Sequence, residues 1–116
     1  EKSSLEDEEI NFIFQKIDWV LAGVSAIEIP TGPPASLTLR VRKYNFNENP
    51  ITLEFSSSTL SIKRRNEASI PLNSGSVKID SISFSHISPA FYGRPEGIEV
   101  AIQIGNHFAT STFYAR

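Results

Sequence analysis

The chain contains no cysteine and no methionine among its 116 residues. Without cysteine, disulfides, thiolate metal sites and thiol redox chemistry are excluded. A chain of this length buries roughly two thirds of its unfolded surface, so one hydrophobic core suffices without covalent staples. An excess of charge of one sign is also lacking. Eleven basic and thirteen acidic residues leave a net charge of −2, which is not the clearly basic footprint of a nucleic-acid binder. Nor does it favour anionic lipid. No apolar run approaches the 18 or so residues of a membrane helix. Glycine-rich phosphate loops, G-x-S-x-G elbows, S-x-x-K pairs and N-x-S/T acceptors are missing as well. The first residue is Glu1, so a processed or trimmed N-terminus is expected, with a signal peptide or membrane stem among the segments that could precede it.

What is present has two rhythms. Ser3 and Ser4 each precede an acid by three residues, Glu6 and Asp7 respectively, a capping-box spacing. Glu6 to Glu9 are expected to load the first turn of a helix. Ile10, Ile13, Phe14, Ile17, Val20, Leu21 and Val24 then recur at steps of three and four, which predicts an amphipathic helix over about 4–24. Phe12 and Trp19, seven apart, form a second stripe, either a rim of the core or a patch for a partner. Residues 29–34 hold three prolines and a glycine, so they form a crossing rather than an element.

Beyond that crossing the period drops to two. Leu37, Leu39 and Val41, then Ile51, Leu53 and Phe55, then Leu60 and Ile62 alternate with polar residues, as half-buried antiparallel strands do. Val77 and Ile79 fall out of phase with Ile82 and Phe84, which predicts a β-bulge near Asp80 or Ser81. Gly105-Asn106 between Ile98–Ile104 and Phe108–Ala115 predicts a hairpin pairing Ile104 with His107, Ile102 with Ala109, Val100 with Ser111 and Ile98 with Phe113. Its small residues Ala109 and Ser111 make a trough in which the helix is expected to lie. The fold class is therefore α+β, mostly β: one domain over 1–116, with an N-terminal amphipathic helix packed on an antiparallel β-sheet or a small β-sandwich built from 35–116.

Residues able to do chemistry are dispersed. His86 and His107 lack the local grouping of ligands that zinc requires, and both read as strand-end imidazoles. The serines at 56–58 and at 81, 83, 85 and 88 read as solvated strand faces. Glu54, Asp80, Glu96 and Glu99 are not placed in pairs. Catalytic residues, metal and cofactors are all expected to be none. Arg40, Arg42, Lys43, Lys63, Arg64 and Arg65 are the only basic concentration; they read as ordinary strand surface that discourages edge pairing, and form a stripe, diluted by Glu54 and threonines, only if 37–43 and 59–64 are neighbours. The loop 88–97 places Phe91 and Tyr92 among prolines and glycines, either to present aromatics to a partner or to close one end of the sheet. The candidate interaction surface is thus Phe12, Trp19, Phe91 and Tyr92.

The order of elements, with Ile10–Val24 as a lower helix and Ile29-Pro-Thr-Gly-Pro-Pro-Ala35 leading into Leu37-Thr-Leu-Arg-Val41, resembles the soluble part of archaeal type IV pilin-like proteins and related surface-filament accessory proteins. That resemblance implies a non-enzymatic, extracytoplasmic structural or adhesion subunit, anchored by an N-terminal stem and acting by self-association or contact with other filament components. The other reading is an immunoglobulin-like β-sandwich that recognises a surface protein or a glycan. A single sheet wrapped on the helix is expected for the first and two facing sheets for the second.

Overall fold

The computed structural model describes residues 2–32, 34–47, 49–65, 67–73, 77–88 and 96–115, and the side chains from Glu6 onward within the first helix. One helix and eight strands follow in the order α1 (Lys2–Leu21), β1 (Val24–Ile29), β2 (Thr38–Lys43), β3 (Ile51–Ser56), β4 (Thr59–Arg64), β5 (Ile70–Pro71), β6 (Ser81–Ile87), β7 (Gly97–Ile104) and β8 (His107–Tyr114). The fold is α+β and mostly β. β1 to β5 form one antiparallel sheet in sequence order, and β6 to β8 form a second. Each sheet is a meander, and the chain passes from one to the other between β5 and β6. The Greek-key connectivity of immunoglobulin domains is not seen among the described residues.

Helix α1 departs from expectation at both ends. It begins at Lys2, so Ser3 and Ser4 lie inside its first turn and the acids follow that turn, where the dipole contributes less. It ends at Leu21 rather than near Val24. Gly23 takes φ +73°, the left-handed conformation that closes helices and that glycine adopts without Cβ strain. Val24 then opens β1, a strand hidden in the sequence because Val24 prolongs the helical spacing of Leu21. The Tyr44 N–H donates to the Gly23 carbonyl at 2.9 Å, tying this corner to the end of β2.

The core is one cluster. Ile10, Ile13, Ile17, Val20 and Leu21 of α1 meet Leu39, Val41, Ile51, Leu53 and Leu60 of the first sheet, and Ile82, Phe84, Ile98, Val100, Ile102 and Ile104 of the second. Leu37, expected to alternate inward with Leu39 and Val41, instead lies just before β2 and is 54% exposed. The two sheets touch directly where Ser36 and Phe84 exchange N–H to carbonyl bonds, both 2.8 Å. Every pair expected in the terminal hairpin is observed, from Ile104 with His107 to Ile98 with Phe113. α1 lies along β8 as the trough suggested. Phe14 meets Phe113 edge-on with centroids 5.7 Å apart, and Ala109 packs against the core. At the other end of the helix's contact, His107 reaches Asp7 at 2.9 Å and Glu6 at 3.3 Å.

The parity change lies where β6 starts. The Asp80 N–H donates to the Gln103 carbonyl at 2.9 Å, while Ser81 is the register partner of Gln103. Two residues thus face one, as at a bulge, and Ile79 and Ile82 both point inward. One buried polar side chain secures the passage between sheets. Asn73, 9% exposed, accepts from the Leu60 N–H at 2.8 Å and donates to the carbonyls of Ser58 at 3.2 Å and Val77 at 2.9 Å.

Candidate functional site

At 100° per residue, Glu8, Phe12, Lys16 and Trp19 project within about 80° of one another on the side of α1 opposite its core stripe. The core face is fixed by Ile13, Ile17, Val20 and Leu21, so this second face is left outside. Phe12 and Trp19 are each 43% exposed. They line one wall of a groove of about 390 Å³ together with Lys16. The opposite wall is the β4–β5 edge of the first sheet, on its core-facing side: Ile62 and Arg64 of β4, Ile70 and Pro71 of β5, and Leu72. Ile70 is 51% exposed. Pro71 leaves this sheet edge short of a backbone donor, which discourages strand addition there.

The groove continues into an aromatic and cationic corner. The Lys43 ammonium sits 3.8 Å from the centre of the Trp19 ring and donates to the Trp19 carbonyl at 2.7 Å. Phe46 stands edge-on to Trp19, with centroids 6.3 Å apart. Burial beside these rings lowers the Lys43 pKa from its ordinary 10.5. Lys16 lies 5.9 Å from the centre of the Phe12 ring. The surface is therefore apolar in its floor and positive at its rim, a form suited to an apolar segment that carries acids.

Of the four residues singled out in the sequence, Phe12 and Trp19 come together in this groove. Phe91 and Tyr92 lie outside the described residues. Sequence reasoning missed the facing wall of Ile62, Ile70 and Leu72, because strand β5 is two residues long and has no period to detect. It also missed the pairing of Lys43 with Trp19, whose residues are distant along the chain.

The histidines are occupied by acids. The His86 imidazole, with its side chain 8% exposed, has its Nε2 2.5 Å from a Glu96 carboxylate oxygen, so it is more enclosed than a strand-end imidazole is expected to be. No serine hydroxyl bonds to His86 among the described residues. His107 binds the two acids of α1 described above. Among the described residues no group of three or more His, Cys, Asp or Glu is arranged to hold a metal ion, and no helix is long and apolar enough to cross a membrane. Comparison with protein-family profiles, with curated proteins and with solved structures returned no match.

Proposed function

We propose that this chain is a non-enzymatic interaction domain that associates with a second copy of itself through the outer face of α1 and the groove beside it. The observation that carries this reading is the self-complementary order of that face. Glu8 and Lys16 flank Phe12 at equal spacing, four residues to either side. An antiparallel copy centred on Phe12 sets Glu8 of each protomer against Lys16 of the other, as a two-fold interface requires. Phe12, Trp19 and Ile70 supply the aromatic and apolar area, the residue types that dominate interface energetics.

Sedimentation of the protein at increasing concentration tests this. A dimer is expected, weakened by Glu8→Lys or Lys16→Glu alone and restored by the two together. A chain that stays monomeric at millimolar concentration, or a double exchange that fails to restore the dimer, refutes it. Circular dichroism of each variant separates lost association from lost folding.

Self-association is also what the pilin-like reading requires, and the extracytoplasmic, membrane-anchored setting belongs to that same proposal. Surface proteolysis of cells producing the full-length gene product tests the setting: an intact domain in whole cells that is cleaved only after lysis speaks against it. The second reading, a sandwich module that recognises a surface protein or a glycan, is favoured by a separate observation. The strands divide into two sheets that share one core, where a single sheet wrapping the helix was the other expectation. Both readings leave catalysis out.

A further inference from the structure

The outer face of the first sheet carries a concave patch of about 610 Å³, lined by Ser36, Thr38, Arg40, Thr52, Glu54 and Lys63 with Ile29, Pro50 and Arg65 at its margin. It is distinct from the groove, since Lys63 faces outward between Ile62 and Arg64, which line the groove. β2 and β4 are not neighbours, as the sequence stripe would have needed. β3 lies between them, yet the register still aligns their cations: Arg40 pairs with Thr52, and Thr52 with Lys63. Across two ladder spacings this puts the Arg40 and Lys63 backbones about 10 Å apart. The neighbouring row runs Thr38, Glu54, Ser61. Two residues along the strands, about 7 Å, thus separate a cationic row from a row of hydroxyls and one carboxylate.

Two of the cations in and around this patch are already held by the fold. Arg42, alongside, is engaged by Glu28 at 2.6 Å, and Arg65 donates to the Asn47 carbonyl at 3.3 Å. Arg40 is different. Its Nε is buried and has no hydrogen-bond partner. A buried guanidinium donor without an acceptor is costly to the folded state. The guanidinium fork matches a carboxylate or sulfate in two parallel bonds.

We propose that this patch binds an acidic saccharide, a hexuronic acid or sulfated sugar residue, with its oxyanion on Arg40 and Lys63 and its ring hydroxyls on Thr38 and Glu54. The two rows argue for a ligand with two chemistries. A bare oxyanion satisfies the cationic row but is repelled by Glu54, whereas a carboxylate accepts hydrogen bonds from sugar hydroxyls. The row separation is on the scale of one sugar ring. This inference does not depend on association through α1.

Amide-resolved NMR titration with sodium glucuronate, sodium sulfate and glucose tests it. Glucuronate is expected to shift residues 38–40, 52–54 and 61–63, sulfate to bind more weakly at the cationic row only, and glucose to leave the spectrum unchanged. Arg40→Gln and Lys63→Gln should each weaken glucuronate binding about tenfold or more, as loss of a charge-assisted hydrogen bond does. Glu54→Gln should weaken glucuronate and strengthen sulfate, a reversal of sign that a merely structural role does not produce. Arg40→Gln should leave the melting temperature unchanged or raised. No shift with glucuronate overturns the proposal, as does sulfate binding equal to glucuronate, which would mark a plain ion patch. A large fall in melting temperature on Arg40→Gln would make the guanidinium a structural element and overturn it too.

Discussion

Removing the Asn73 side chain should cost the domain more than its small size suggests. In Asn73→Ala three backbone groups lose their partner together: the Leu60 N–H and the carbonyls of Ser58 and Val77. Leu60 is fully buried, so water cannot readily replace the lost acceptor, and an orphaned buried donor costs about 1–3 kcal/mol. The carbonyls keep a second lone pair and add less. The expected loss is about 3 kcal/mol, or roughly 10 °C in melting temperature for a domain of this size. Urea unfolding followed by the fluorescence of Trp19, the only tryptophan, measures it directly. Because Asn73 adjoins Leu72 on the groove wall, the same variant should also weaken self-association while folded. Asn73→Asp sharpens the test. The Asp oxygen facing Ser58 and Val77 needs a proton to donate, so its folded pKa must rise above the usual carboxylate value near 3.9. A raised acid contributes stability that is present at low pH and lost as pH climbs through the folded pKa. Asn73→Asp should therefore come closest to the parent near pH 4 and fall away toward neutrality. A loss below about 1 kcal/mol in Asn73→Ala, or an Asp variant whose deficit does not change with pH, would refute the assigned network.

Two further outcomes follow from the helix's two faces. Ala109→Leu should destabilise the domain by about 1–3 kcal/mol, because the added branch meets α1 in the trough on β8; thermal unfolding by circular dichroism reads it, and an unchanged transition would mean that the helix does not rest there. Lys43 should titrate below 10.5 when followed by its side-chain carbon and nitrogen resonances. Its burial costs stability while the amine is charged in both states, and that cost fades as pH rises from the folded pKa to 10.5. Stability should therefore increase slightly over that window, and Lys43→Met should abolish the increase. A titration at or above 10.5 would mean that the Trp19 ring and carbonyl outweigh desolvation.

The parts of the fold that were legible in the sequence are those held by local contacts. The β7–β8 hairpin could be read pair by pair, because a Gly-Asn turn fixes register for both arms and one alternating pattern then assigns every side chain. The resting place of α1 was legible for the same reason: once paired, Ala109 and Ser111 mark the low side of the sheet. β1 was not, because Val24 fits a helix as well as a strand and the decision lies in the backbone of Gly23. The division into two sheets was also invisible. Alternation reports which face of a strand is dry but not which strands share it, and the Ser36 to Phe84 bridge joins residues far apart in sequence. The candidate groove was half legible. Spacing alone exposed Phe12 and Trp19 as a face that the core does not claim, whereas its other wall exists only through tertiary placement of Ile62, Ile70 and Leu72. The basic stripe was legible only on the condition that β2 and β4 are neighbours, and β3 lies between them. Arg40 and Lys63 still align because β3 presents Thr52 to both.

The contact of Phe14 with Phe113 has a consequence for how the molecule is made. Within these 116 residues the helix is synthesised before the strands and its landing strand after the other seven, with about a hundred residues between Phe14 and Phe113. At ordinary translation rates that interval is on the order of 5–20 s. For all of it, Ile10, Ile13 and Ile17 lack part of the surface that will cover them, although both meanders can close from neighbouring segments as they emerge. A chain interrupted before β8 would carry an assembled first sheet and an uncovered apolar helix. The domain is therefore completed in one final event, when its two ends meet.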